Sequence, residues 1–307
     1  ETVTDEIDII ILAISGLSPL NLSIDIVKSG KVIGLANKEC IISLGPHLLS
    51  LAKKHNTTII PLDSEQFSIW TLLKSENRNL IKKIYLTASG GPFLNRKLKN
   101  IKNIKPMLAL KHPNWKMGKK ITIDSATMMN KIFEIIEASK IFDFNINKFE
   151  ILIHPKSYVH AIVHFKNGLT KLLTHNTTME IPITNAIYSN NYDYYNKHNF
   201  NFNKLNGINF IKPSKQNFPL LKILNNKFNN TYFEVILVSI NDLLVKKYLD
   251  NKISYFSVHK FMLSLIKEPF LSNFFDLKPK NINDIKHMVI KTKEYVEKYL
   301  KYNGKKN

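Results

Sequence analysis

Asp63 and Glu65 stand two residues apart after an apolar run, and in extended backbone two such side chains face one side. Paired carboxylates so placed form half a site for a hard cation such as Mg²⁺ or Mn²⁺, which takes oxygen ligands. The alternative is an N-cap followed by a first-turn Glu. A second set lies in 121–138, ITIDSATMMNKIFEIIEA. Its β-branched run leads to Asp124-Ser125, either of which can cap a helix that begins there. In that helix Met128, Met129, Ile132, Phe133 and Ile136 recur at helical spacing, predicting one buried stripe. The opposite face gathers Thr127, Asn130, Lys131, Glu134 and Glu137. Ser125, Asn130 and Lys131 suit an anion near the helix N-terminus, and Glu134 offers a carboxylate one turn further on. A solvated helix face is the competing reading. Ser89-Gly90-Gly91 lets backbone N–H groups approach a ligand, unless it is a plain turn. The stretch 111–120, KHPNWKMGKK, reads as a loop, with Trp115 and Met117 suited to a lid over substrate. A Trp folded back on its own core is the alternative.

The elements that must hold these residues begin as β-α-β-α-β. Strands are predicted at 8–13, 31–36 and 57–62, with helices at 18–29 and 40–54 between them. This order implies a parallel, doubly wound sheet, whose ligands sit at the carboxyl ends of the strands. Asn37-Lys38-Glu39 and Asp63-Ser64-Glu65 both occupy that position. No Gly-rich nucleotide-binding turn occurs. A further strand over 82–87 leads into Ser89. Residues 150–173 alternate in an antiparallel pattern, with Asn167-Gly168 a hairpin signal. His154, His160, His164 and His175 lack zinc-ligand spacing. Residues 189–230 read as a connection, three helical patterns at 232–249, 257–267 and 282–302 form a C-terminal bundle, and 303–307 are expected to be disordered.

Length and composition bound the rest. The chain has 307 residues, 44% of them hydrophobic, so two domains, or one large one plus an appendage, are expected, with real cores. No apolar run reaches the roughly 18 residues of a membrane span. One cysteine, Cys40, excludes an internal disulfide and fits a reducing compartment. The net charge of +20 is scattered, without a basic motif interleaved by Gly or aromatics. Lys, Asn, Ile, Tyr and Phe share A/T-rich codons, so genome bias is preferred over a nucleic-acid footprint, and a phosphorylated substrate fits the charge equally.

Taken as a series, LANKE at 35–39, PLDSE at 61–65, SGGPF at 89–93, KHPNWKMGKKITIDSATMMNK at 111–131 and IHPKSYVH at 153–160 resemble the 1-deoxy-D-xylulose 5-phosphate reductoisomerase family. The match is dense from about 31 to 165 and weak beyond. The resemblance implies an NADPH- and metal-dependent enzyme of non-mevalonate isoprenoid biosynthesis. Asp63, Glu65 and Glu134 then look like its metal carboxylates, for Mg²⁺, Mn²⁺ or Co²⁺. Ser89, His112, Ser125, Asn130 and Lys131 look like its phosphate and substrate ligands, and Ser64 and Lys38 like contacts to the substrate's oxygenated end. Lys38, Glu65 and His160 take catalytic roles by this carry-over, Asn37 and Glu39 face the cofactor, and Trp115 and Met117 form the lid. The implied reaction rearranges the carbon skeleton by retro-aldol cleavage and re-addition, then reduces the branched aldehyde to 2-C-methyl-D-erythritol 4-phosphate.

The expected organisation is α/β. An incomplete Rossmann-like NADPH-binding domain spans 1–63, and an α+β catalytic domain with lid and dimer-forming strands spans 64–188. A connection follows over 189–230, then a helical domain over 231–302. The chain departs from the family at several points: no Gly-rich cofactor turn, Ile132 where the family has Gly, TTME at 177–180, and SIND at 239–242 in place of an NAANE motif. An N-terminally incomplete copy of the enzyme that uses NADPH inefficiently is expected, against a decayed remnant that keeps metal or phosphosugar binding. Homodimerisation is expected and nucleic-acid or membrane binding is not; the compartment would be a bacterial cytoplasm or a plastid.

Overall fold

In a computed structural model, residues 6–188 and 201–303 are described. The first sheet holds β1 (Ile9–Leu12), β2 (Val32–Leu35) and β3 (Thr58–Pro61), all parallel, in the order β1-β2-β3. Helices α1 (Leu20–Lys28) and α2 (Lys38–Lys54) make the two crossovers. Gly34 lets neighbouring side chains pack onto the middle of β2: a Cβ there would lie 2.6 Å from Ile11 Cδ1 and 2.9 Å from Leu62 Cδ1, so both would have to shift. Asn37 caps α2 by accepting from the Cys40 N–H, and its amide donates to the carbonyls of Ile14 and Gly16, tying the loop after β1 to the end of β2. A break at Gly45 (φ 37°) before Pro46 bends α2.

After β3 come α3 (Ser64–Leu73) and β4 (Ile81–Ala88), which starts the second sheet. Two short helical segments follow: α4 (Pro106–Ala109) and α5 (Lys119–Thr127), the latter leading directly into α6 (Met129–Ile141). Strands β5 (Phe149–Ile153), β6 (Val159–Phe165) and β7 (Thr170–Thr174) complete the sheet in the order β5-β4-β6-β7. β6 and β7 form the hairpin that Asn167-Gly168 signals, with Gly168 at φ 87°. β5, however, pairs parallel with β4, so the region from 150 is not uniformly antiparallel. The crossover through α5 and α6 makes that pairing possible.

The 121–124 run does not precede a helix; it is inside one. α5 already begins at Lys119, and Met128, in the left-handed region at φ 65°, separates it from α6. Neither Asp124 nor Ser125 therefore caps α6. Tertiary packing overrides the β-branched preference here: Thr122 and Ile123 are buried, and Thr122 Oγ1 donates back to the Gly118 carbonyl at 2.9 Å.

The chain continues through α7 (Glu180–Ile187) to α8 (Tyr232–Leu249), α9 (Tyr255–Leu265), α10 (Pro269–Ser272) and α11 (Ile282–Asn303). Thr231 and Glu234 close a capping box at the start of α8. α8 packs on α2, α5, α9 and α11, so the helical layer is continuous with the core beneath α2 and α6. Within the expected connection, 201–230 holds short 3₁₀ turns and one bridge, Ile153 to Ile211; 189–200 lie outside the described residues, as do 304–307 of the expected disordered tail.

Candidate active site

Asp63 lies just past the end of β3 and is the N-cap of α3, its carboxylate accepting from the Glu65 N–H at 3.3 Å. The capping and metal-site readings of this pair are thus compatible: the cap fixes one carboxylate and the first helical turn supplies the other. Glu134, on the second turn of α6, brings a third, and one oxygen from each lies within 4.8 Å of the other two. The face of α6 that carries Glu134 is not solvated. Lys131, Glu134 and Glu137 are all buried, because α2 and α3 cover them.

Two ammonium groups neutralise part of this charge. Lys38 Nζ lies 2.7 Å from Asp63 Oδ2, 2.7 Å from Asn130 Oδ1 and 3.2 Å from Glu134 Oε1. Lys131 Nζ lies 2.5 Å from Glu65 Oε1 and 2.5 Å from Glu134 Oε2, the latter contact lacking the alignment of a hydrogen bond. Asn130 donates to Glu134 and Ser64 to Glu65. Below them Gln66 Nε2 donates to the Glu134 carbonyl and to Glu137 Oε2.

Burial pushes Glu134 up to about 7, with Glu65 adding repulsion and the two lysines opposing it. Burial acts on Glu65 too, but Lys131 outweighs it and holds the carboxyl at about 2. Lys38 stays charged because Asp63, Glu134 and Glu137 overcome its desolvation. Three carboxylates against two ammonium groups leave a net negative charge in a buried site, which suits a divalent cation with oxygen ligands. The residues fit the metal.

Next to this cluster opens a cavity of ≈1030 Å³, its mouth included, lined by Asp63, Ser64, Glu65 and Glu134 and also by Ser89, His112, Ser125, Asn130, Lys131 and His160. His112 Nδ1 accepts from the N–H groups of Asn114 (3.2 Å) and Trp115 (3.0 Å), so the ring proton is on Nε2, which donates to Ser89 Oγ at 2.9 Å. Burial, reinforced by Lys131, lowers His112 to about 4 and keeps it neutral. Ser89 Oγ also accepts from Gly91 N at 3.0 Å, which leaves its own proton to donate into the cavity. Gly91 (φ 68°) allows the turn to rest on α5: a Cβ there would lie 3.0 Å from Ala126 Cα.

Trp115, Lys116 and Met117 line the same cavity. Their loop is pinned by Asn114, whose amide donates to the Pro155 carbonyl (2.6 Å) and Ser157 Oγ (2.7 Å). Trp115 meets His160 edge to face, with centroids 6.0 Å apart, so it does not fold back into the core. His160 in turn stacks on His175 at 3.6 Å, and its Nε2 faces the His175 carbonyl at 3.0 Å. Burial, with His175 adding to it, lowers His160 to about 3, so it is a neutral wall of the cavity.

Asn37 and Glu39, assigned to the cofactor on the sequence, line no part of this cavity. Asn37 is spent on the α2 cap, and Glu39 pairs with Lys120 at 2.7 Å. Ala36 does line it, at the carboxyl end of β2. In such sheets ligands sit beyond the carboxyl ends of the strands. No Gly-rich turn for a dinucleotide's pyrophosphate occurs among the described residues. The altered 239–242 segment still delivers an amide and a carboxylate: Asn241 Nδ2 donates to Asp124 Oδ1 at 2.7 Å, and Asp242 lies 3.3 Å from Lys120. Ile132 is fully buried in the core. Lys120 escaped the sequence reading, although its i,i+4 spacing to Asp124 was available as a signal.

Three family profiles match: 1-deoxy-D-xylulose 5-phosphate reductoisomerase over 1–45, its C-terminal domain over 59–142, and the DXP reductoisomerase C-terminal domain over 175–295. The likeness therefore continues well past residue 165. A 1-deoxy-D-xylulose 5-phosphate reductoisomerase of Sulfurihydrogenibium sp. is 37% identical over 94% of this chain and 74% of its own length. Among solved structures, a DOX-P reductoisomerase in complex with NADPH, fosmidomycin and magnesium superposes with a TM-score of 0.86 at 28% identity, over 97% of this chain and 76% of that one. The Zymomonas mobilis reductoisomerase in complex with NADPH gives 0.83 at 29%, over 94% and 74%. A relative of the same name from Pelagibacter ubique shares 50% of residues over 92% of this chain and 74% of its own. With that identity over that length, the chain belongs to the 1-deoxy-D-xylulose 5-phosphate reductoisomerase family.

Proposed function

We propose that this chain acts in the NADPH- and divalent-metal-dependent conversion of 1-deoxy-D-xylulose 5-phosphate to 2-C-methyl-D-erythritol 4-phosphate, a step of non-mevalonate isoprenoid biosynthesis. The observation that carries this reading is the convergence of Asp63, Glu65 and Glu134 on one wall of a cavity whose opposite features suit a phosphate. An intact triad and neutralising lysines favour a working site over a decayed remnant.

Asp63, Glu65 and Glu134 hold the cation, Mg²⁺ or Mn²⁺ (or Co²⁺). When bound, it supplies Lewis-acid polarisation of the substrate's ketone and neighbouring hydroxyl. NADPH supplies the hydride. Lys38 and Ser64, beside these carboxylates, orient the oxygenated end of the substrate. Ser89 donates a hydrogen bond from its hydroxyl to the phosphate, with Ser125, Asn130 and Lys131 completing that pocket and His112 fixing the Ser89 rotamer. Phosphate binding remote from the reacting carbons aligns them. Trp115 and Met117 cover the substrate and exclude water.

The parallel sheet over 1–63 belongs with the cofactor, 64–188 with catalysis and 231–302 with the helical layer, joined by 189–230. The exposed Leu172 on edge strand β7, with Leu169 just before it, suits a homodimer contact. No helix among the described residues is long and apolar enough to cross a membrane, and the relatives named are bacterial. A bacterial cytoplasm suits the lone buried Cys40. The test is calorimetric titration with 1-deoxy-D-xylulose 5-phosphate, with and without Mn²⁺. Binding that Mn²⁺ strengthens supports the reading, and metal-indifferent or absent binding overturns it.

A further inference from the structure

Lys120 gathers groups from four helices without itself lining the cavity. Its Nζ lies 2.7 Å from Glu39 Oε1 on α2, 2.8 Å from Asp124 Oδ2 on α5 and 3.3 Å from Asp242 Oδ1 on α8. It also sits 5.6 Å from the centre of the Phe133 ring on α6. Asn241 holds the second oxygen of Asp124. The three carboxylates are 8%, 3% and 15% exposed, so water screens them little.

An ionic cluster of this kind is a poor device for stability alone, since well-packed apolar residues often serve as well. What it does provide is a fixed geometry. Two of its partners, and Lys120 itself, adjoin residues of the site: Glu39 follows Lys38, Asp124 precedes Ser125, and Lys120 follows the 111–118 loop that carries Trp115. A shift of the first turn of α5 would therefore move the loop and Ser125 together against Lys38.

We propose that Lys120 is a positioning residue for the phosphate pocket, locking α5 to α2 and α8 and so setting where Ser125 and the Trp115 loop stand relative to Lys38. This rests on the phosphate-pocket reading above. The chain has two tryptophans, so Trp70→Phe leaves Trp115 as the single reporter. In that background, inorganic phosphate is titrated by fluorescence and Mn²⁺ by electron paramagnetic resonance. Lys120→Met is expected to weaken phosphate about tenfold while Mn²⁺ affinity stays within about twofold, and Lys120→Arg to restore phosphate to within about threefold. A folded Lys120→Met with parental phosphate affinity overturns the proposal, as does an equal loss of both ligands. If Lys120→Met does not fold, Asp242→Asn decides, because it removes only the α8 contact. About threefold weaker phosphate with unchanged Mn²⁺ supports the proposal, and unchanged phosphate overturns it. A parent chain that gives no phosphate response removes the pocket reading itself, and the inference with it.

Discussion

Lys38, at the start of α2, and Glu134, on α6, stand 96 residues apart in the chain and 3.2 Å apart in space. The same ammonium contacts Asp63, so it sits among the carboxylates that are proposed to hold the metal. It therefore opposes a cation electrostatically, and it is proposed above to orient the oxygenated end of the substrate. Lys38→Met is expected to tighten Mn²⁺ by at least about tenfold, since two unit charges a few ångströms apart interact by a few kcal/mol at a surface-like dielectric. Substrate affinity should fall in the same variant. Weaker Mn²⁺ binding in electron paramagnetic resonance titration would show that Lys38 instead helps to assemble the triad.

Glu134→Gln keeps the shape of the side chain and removes one of three carboxylates. Mn²⁺ affinity should fall by at least about a hundredfold, because a hard cation loses a charged ligand that no neighbour replaces. Parental Mn²⁺ affinity in calorimetry would exclude Glu134 as a ligand.

Ser89→Ala removes the hydroxyl that His112 and Gly91 orient. A hydrogen bond to a charged group contributes about 1.5–3 kcal/mol, so affinity for a phosphorylated substrate should fall roughly ten- to hundredfold. Mn²⁺ binding without substrate should not change. Equal substrate affinity in the variant would remove Ser89 from the phosphate pocket.

The pH dependence of stability can be tested away from the site. His259 on α9 is buried, with Nδ1 3.1 Å from the Tyr255 carbonyl, and burial lowers it to about 4. Its folded value lies below the unfolded value of about 6.5, so the neutral form is preferred in the fold. The associated stability is present above about pH 6.5 and is lost as pH falls toward 4, by up to about 3 kcal/mol. Denaturant unfolding of His259→Gln should show a smaller loss over that window than the parent. An identical slope in both proteins would mean that His259 does not carry it.

Much of the scaffold is written in local pattern. Three apolar runs separated by helical stretches predict β1 to β3, and Asn167-Gly168 marks the β6–β7 turn. Period and turn chemistry are properties of neighbouring residues, so these features need no tertiary knowledge. The face of α6 is different. Spacing puts Asn130, Lys131, Glu134 and Glu137 together, but only the cover supplied by α2 and α3 makes them a buried ionic site. The start of α5 is misread for the same reason, since Thr122 and Ile123 gain more from packing than they lose from β-branched strain in a helix. The Lys120 cluster joins residues 39, 120, 124 and 242, a convergence that spacing within any one helix cannot reveal beyond its Lys120–Asp124 pair.

Gly91→Ala asks whether the phosphate pocket depends on the placement of its turn as well as on the Ser89 hydroxyl. Gly91 has φ 68°, and an added Cβ would meet backbone of α5 at 3.0 Å (Ala126 Cα) and 3.2 Å (Ser125 O). Those atoms belong to a buried helix and cannot swing aside as a flexible side chain would. The turn must therefore lift from α5 or adopt another conformation, at a cost of about 1 kcal/mol or more. Either movement separates Ser89 from Ser125, which the pocket needs together. Substrate affinity should fall about as far as in Ser89→Ala, although every hydrogen-bonding group remains. The double variant should lose little beyond either single one, because both act on the same contact. Additive losses in calorimetry would instead mean that Gly91 and Ser89 serve the site independently.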